Sequence, residues 1–155
     1  MIPYLPVKAI HIVSSTVLFG TGLGTAFFKW AVDRSRNVVA IRVVSERVVM
    51  ADWLFTSPAI VVQAVSGVIL ARMMGFSLTH GWVAYAIGLY LIAGLCWLPV
   101  VWLQMQMRDL ARDSDAQGTP LPPTYWAYAR AWFWLGVPAF VSLVVVFWLM
   151  VAKPG

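Results

Sequence analysis

The chain has 155 residues, of which 61% are hydrophobic and only 11% charged, with a formal net charge of +5. A soluble domain is roughly 45–50% apolar and about 25% charged, so this composition excludes a water-soluble globule and indicates an integral membrane protein. The basic residues sit beside apolar runs with no soluble module to carry them, which leaves the lipid bilayer, and not nucleic acid, as their partner.

Crossing about 30 Å of hydrocarbon takes about twenty apolar residues. Four such stretches are present, over residues 5–30, 48–71, 81–107 and 127–151. They predict an all-α fold, a single four-helix transmembrane bundle over residues 1–155. The first stretch is read as a retained span and not as a cleaved leader, because Lys8 follows Pro3 and Pro6 and the apolar run exceeds the 7–15 residues of a signal sequence.

That first stretch, VKAIHIVSSTVLFGTGLGTAFF, carries one imidazole, His11. At 100° per residue Ser15 and Gly22 fall within about 40° of it. Small side chains there leave room for a planar macrocycle, so a haem b with His11 as axial ligand to the iron is one expectation. A hydrogen bond from His11 to a serine hydroxyl or a carbonyl of a neighbouring helix is the other. On a separate face, Thr16, Gly20 and Gly24 recur every four residues, the spacing that lets a second helix approach closely in lipid. GTGLG lacks the preceding strand that a nucleotide-binding glycine loop requires.

Residues 34–49, RSRNVVAIRVVSERVV, contain neither Gly nor Pro, and Arg42 and Glu46 stand four apart, so the second helix should begin before the membrane. Asp52 falls about one turn inside that helix. A lone carboxylate at this depth is costly, and Arg130 at the same end of the fourth helix is the expected partner of a structural ion pair. Pro58, Pro99 and Pro138 interrupt helices two, three and four and can open space in the interior, with Thr56 and Ser57 able to satisfy freed carbonyls.

Residues 108–126, RDLARDSDAQGTPLPPTYW, mix Asp, Gly and Pro and read as a mobile loop. Tyr4, Trp30, Trp53, Trp82, Tyr125, Trp126 and Tyr128 lie near predicted helix ends, as an interfacial aromatic belt requires. Trp97, Trp102, Trp132, Trp134 and Trp148 lie elsewhere and are read as packing or as walls for a flat ligand. Cys96 is the only cysteine and is expected to pack. His80, Met73 and Met74 are the further axial ligands available, His80 reading as a surface residue. Lys29, Arg34, Arg36, Arg42, Arg47, Arg108, Arg112 and Arg130 cluster at one end of the helices and only Lys8, Arg72 and Lys153 at the other. The first group should be cytoplasmic, with both termini on the outer side.

Three segments, KAIHIVSSTVLFGTGLGTAFF, ADWLFTSPAIVVQAVSGVIL and GWVAYAIGLYLIAGLCWLPVVWLQMQMRDLA, resemble a bacterial family of predicted integral membrane proteins, domain of unknown function 2269. The resemblance spans nearly the whole chain and implies the topology and a bacterial inner membrane. Lys8 and His11 are also distantly similar to the opening of HemJ-type membrane protoporphyrinogen oxidases, a set related to copper-resistance permease domains, in which the equivalent histidine is implicated in haem binding. Ser57-Pro58-Ala59 is similar to their Thr-Pro-Ala element. Where those oxidases carry a basic residue after a Gly-Trp pair, this chain reads Gly81-Trp82-Val83-Ala84-Tyr85, which argues against that oxidation.

Two readings stand. One is a b-type haem or quinone-linked redox membrane protein. The other is a non-enzymatic bundle that partners another membrane protein or forms a homo-oligomer. No nucleophile, carboxylate dyad or phosphate loop supports hydrolysis or phosphoryl transfer.

Overall fold

A computed structural model describes residues 3–154. Helix α1, Tyr4–Ser35, starts after the extended Pro3 and stops at Arg36, whose backbone is left-handed. Helix α2, Val38–Ala51, is capped by Asn37, whose side chain accepts the Ala40 N–H at 3.0 Å. A π-helical turn, Asp52–Thr56, and helix α3, Ser57–Met73, continue the same rod. Helix α4, Gly81–Gln117, and helix α5, Pro123–Ala152, complete an all-helical bundle with four membrane-length spans.

The π turn has a local cause. Pro58 has no N–H to give, and its ring would crowd the carbonyl one turn earlier. Widening that turn relieves the crowding, and Ser57 supplies both its N–H and its hydroxyl to the Asp52 carbonyl, the latter at 2.9 Å. By contrast, Pro99 and Pro138 are accommodated inside α4 and α5.

The second helix begins before the membrane, as its composition suggests, but the third runs ten residues past its expected end. Residues 108–117 are helical and not a loop. Their prolines all lie further on, and their charges are used across helices: Arg42 Nε donates to Asp115 at 2.6 Å, and Arg112 reaches Glu46 at 3.0 Å. Arg42 also pairs with Glu46 at 3.4 Å. Turn chemistry is confined to 118–122, where Gly118 (φ 62°) ends α4 in the left-handed region that glycine tolerates. The fourth helix correspondingly starts at Pro123, before the expected residue 127.

Packing divides the bundle into two hairpins. Helix α1 lies against α3 and the π turn, α4 lies along α5, and α2 against α4 joins them. The buried stripe of the second rod, Ser45, Val49, Asp52, Thr56, Ala59, Gln63 and Ser66, alternates steps of three and four. A seven-residue repeat drifts by about 20° per repeat on a regular helix, and the π turn rotates the rod further. One seam therefore faces α4 before the turn and α1 after it. The apolar core lies in the arginine-rich half, where Ile41, Val100, Leu103, Met107, Ala111, Tyr125 and Trp132 pack together. Tyr125, expected in the aromatic belt, is fully buried here; Trp53, Trp102, Trp134 and Trp148 face outward.

Met107 is fully buried, whereas Leu95 on the same helix is 69% exposed. Met107→Ala should therefore cost about 2–5 kcal/mol and lower the thermal midpoint in detergent, with Leu95→Ala within about 0.5 kcal/mol of wild type.

Candidate functional site

Polar groups at lipid depth are costly unless paired, so their partners define what they can do. Two clusters occur. The first joins α1 to α3 in the terminus-bearing half. His11 Nδ1 lies 2.8 Å from Ser66 Oγ, and His11 Nε2 lies 3.2 Å from Gln63 Nε2. Ser14 donates to the Gln63 carbonyl oxygen, which leaves the amide nitrogen turned to the imidazole. An amide nitrogen only donates, so Nε2 accepts, and Nδ1 carries the hydrogen and donates to Ser66. Ser66 in turn donates to the Val62 carbonyl at 2.6 Å. The ring is wedged against Gly67, where an added Cβ would come within 3.1 Å of Cε1.

His11 thus faces inward with both ring nitrogens engaged by protein. These residues do not fit an axial haem ligand, which needs one free ring nitrogen and clearance beyond it. Ser15 turns back to the Ile12 carbonyl at 2.8 Å, and Gly22 is exposed, so neither lines space beside the ring. His80 is bonded to Thr79 at 2.9 Å in the loop before α4, and Met73 and Met74 are exposed. Gln63, Ser66 and Gly67, missed in the sequence reading, are the actual neighbours. Their signal was there: Gln63 and Ser66 stand on one face of an otherwise apolar span.

The second cluster joins α1 to α5 in the arginine-rich half. Lys29 is 1% exposed and donates to both Asp33 oxygens, at 2.7 and 2.6 Å, and to the Tyr125 hydroxyl. Tyr125 donates to Asp33 at 2.6 Å. Every member is satisfied by another, and the Tyr125 ring also lies 4.9 Å below the ammonium.

Asp52 stands apart from that triad. It is buried on the π turn, with Oδ1 accepting from Thr56 at 2.8 Å and Oδ2 lacking a partner. The expected ion pair with Arg130 is not formed among the described residues. Arg130 sits on the outside of α5, exposed, while Asp52 points towards α4, where Gln104 lies beside it. Sharing one end of the bundle did not place the two on facing sides. Thr16 and Gly20 are exposed and Gly24 half-buried on α1, and a Cβ at Gly20 or Gly24 would meet nothing within 4 Å, so among the described residues no helix packs closely on that face.

A family model of predicted integral membrane proteins, DUF2269, matches residues 5–154. The chain belongs to this family. The match covers all four spans and both polar clusters. Neither a curated protein nor a solved structure matches the chain, so the likeness to protoporphyrinogen oxidases rests on the quoted residues alone.

The two ionisable centres should respond to different extents. Lys29→Met leaves the half-buried Asp33 without its cation and should cost up to about 3–5 kcal/mol, and adding Asp33→Asn should recover part of that loss. Asp52→Asn keeps the Thr56 hydrogen bond and strands no cation, so it should lower the thermal midpoint far less than Lys29→Met does. Thermal unfolding in detergent of the two single variants and the double variant checks all three.

Proposed function

We propose that the protein is a non-enzymatic bundle of the bacterial inner membrane, with both termini outside, that works by assembling with a further membrane helix through the outward face of α1. The observation that carries this reading is the unused face itself. Thr16, Gly20 and Gly24 offer close approach, yet α3 and α2 pack on other sides of α1. In lipid, helices associate through close packing and polar contacts, because apolar surface gains nothing by leaving acyl chains. The side assignment follows from the arginine-rich end, which resists translocation.

The geometry around His11 favours this reading over a redox role. An imidazole hydrogen-bonded to Ser66 and Gln63 ties α1 to α3, and both of its nitrogens are engaged in that tie.

A photo-crosslinking residue at Thr16 should give a discrete adduct in native membranes, its mass showing whether the neighbour is a second copy. The same residue at Leu95, 69% exposed on α4, should give none. Adding Gly20→Leu should abolish the Thr16 adduct while the monomer keeps its thermal midpoint. No adduct, or equal adducts at both positions, would overturn the proposal. A Soret band in the purified protein, lost in His11→Ala, would restore the redox reading.

A further inference from the structure

The basic side chains of the arginine-rich end divide into two groups. Lys29 is paired with Asp33, Arg42 with Asp115 and Glu46, Arg112 with Glu46, and Arg108 with Asp109. Arg34, Arg36, Arg47 and Arg130 have no carboxylate partner among the described residues, and three of these four, Arg34, Arg36 and Arg130, line one groove of about 390 Å³ between the end of α1 and the start of α5. Asp33 also borders it, but its oxygens are engaged by Lys29 and Tyr125.

The groove is built to hold its guanidinium groups in place. Arg34 stacks on Trp30 at 4.1 Å and Arg36 on Trp126 at 4.0 Å. Stacking uses the flat face of a guanidinium and leaves its N–H edge free, the edge that binds phosphate through paired hydrogen bonds. Arg36 also takes a left-handed backbone, φ 56°, at the position after a helix where glycine is the usual choice.

The walls indicate where the ligand comes from. Phe133 and Trp134 line the same groove and are 46% and 69% exposed on a membrane-spanning helix. Trp134 lies one helical turn beyond Arg130, about 6 Å further along α5 towards the bilayer centre. The groove therefore runs from its cationic end towards the acyl chains. We propose that it binds an anionic phospholipid, its phosphate on Arg34, Arg36 and Arg130 and one acyl chain along Phe133 and Trp134.

The test compares thermal unfolding of the detergent-purified full chain with added phosphatidylglycerol, phosphatidylcholine or inorganic phosphate, and counts retained lipid by native mass spectrometry. Phosphatidylglycerol alone should be retained and raise the midpoint. Its apparent affinity should fall about five-fold in Arg130→Gln and about a hundred-fold when Arg34→Gln and Arg36→Gln are added. Arg130→Gln disturbs no stacked ring, so it reports on the groove even if the triple variant folds poorly. Arg72→Gln, at the opposite end, should leave the affinity unchanged. Equal effects of phosphatidylcholine, equal stabilisation by inorganic phosphate, or an unchanged response in Arg130→Gln would each overturn the proposal.

Discussion

Lys29, Asp33 and Tyr125 form the contact on which the bundle closes. The first helix and the last meet where a lysine has been drawn out of water, and such a charge is tolerable only with its counter-charge and hydrogen bonds in place. The tyrosine supplies the third corner from α5, so the triad exists only when the two helices are docked in one register. Around it the apolar core of α2, α4 and α5 is assembled. Removing one corner breaks the hydrogen bonds that hold the other two in register.

The polar seam of the second rod explains how the rest is arranged. Ser45, Asp52, Thr56, Gln63 and Ser66 lie on one wandering stripe, and in a bilayer such a stripe must find partners inside the protein. After the π turn it finds His11 and Ser14, and the resulting chain of hydrogen bonds is complete. Up to the first residue of the turn it meets α4 less completely: Ser45 and Asp52 on the rod and Gln104 on α4 each keep one unpartnered atom. The half of the bundle with the denser apolar core thus carries the less satisfied polar interior.

The four spans were legible because twenty-residue apolar runs have few other physical explanations, and the α2 start was legible because Arg42 and Glu46 sit at helical spacing. What failed did so for identifiable reasons. Residues 108–117 resemble a loop in composition, yet Asp115 and Arg112 are anchored by α2, a contact no local pattern announces. Tyr125 sits at a helix end, where tyrosines usually belong to the interface, and only the buried lysine on another helix draws it inward. The pairing of Asp52 with Arg130 was inferred from depth alone, which sets height in the membrane but not azimuth. His11 stood out as the one imidazole within an apolar span, while its neighbours on α3 could be known only once the helix pairing was known.

Helix α4 has 37 residues, about 55 Å of rod against roughly 30 Å of hydrocarbon. Its surplus, braced against α2 by Arg42, Glu46, Arg112 and Asp115, stands above the bilayer as a short rigid pedestal. Ionic strength and lipid thickness therefore act on different storeys of the same molecule. Salt loosens the pedestal by screening its half-exposed ion pairs, whereas a thinner or thicker bilayer tilts the rods beneath and leaves those pairs untouched.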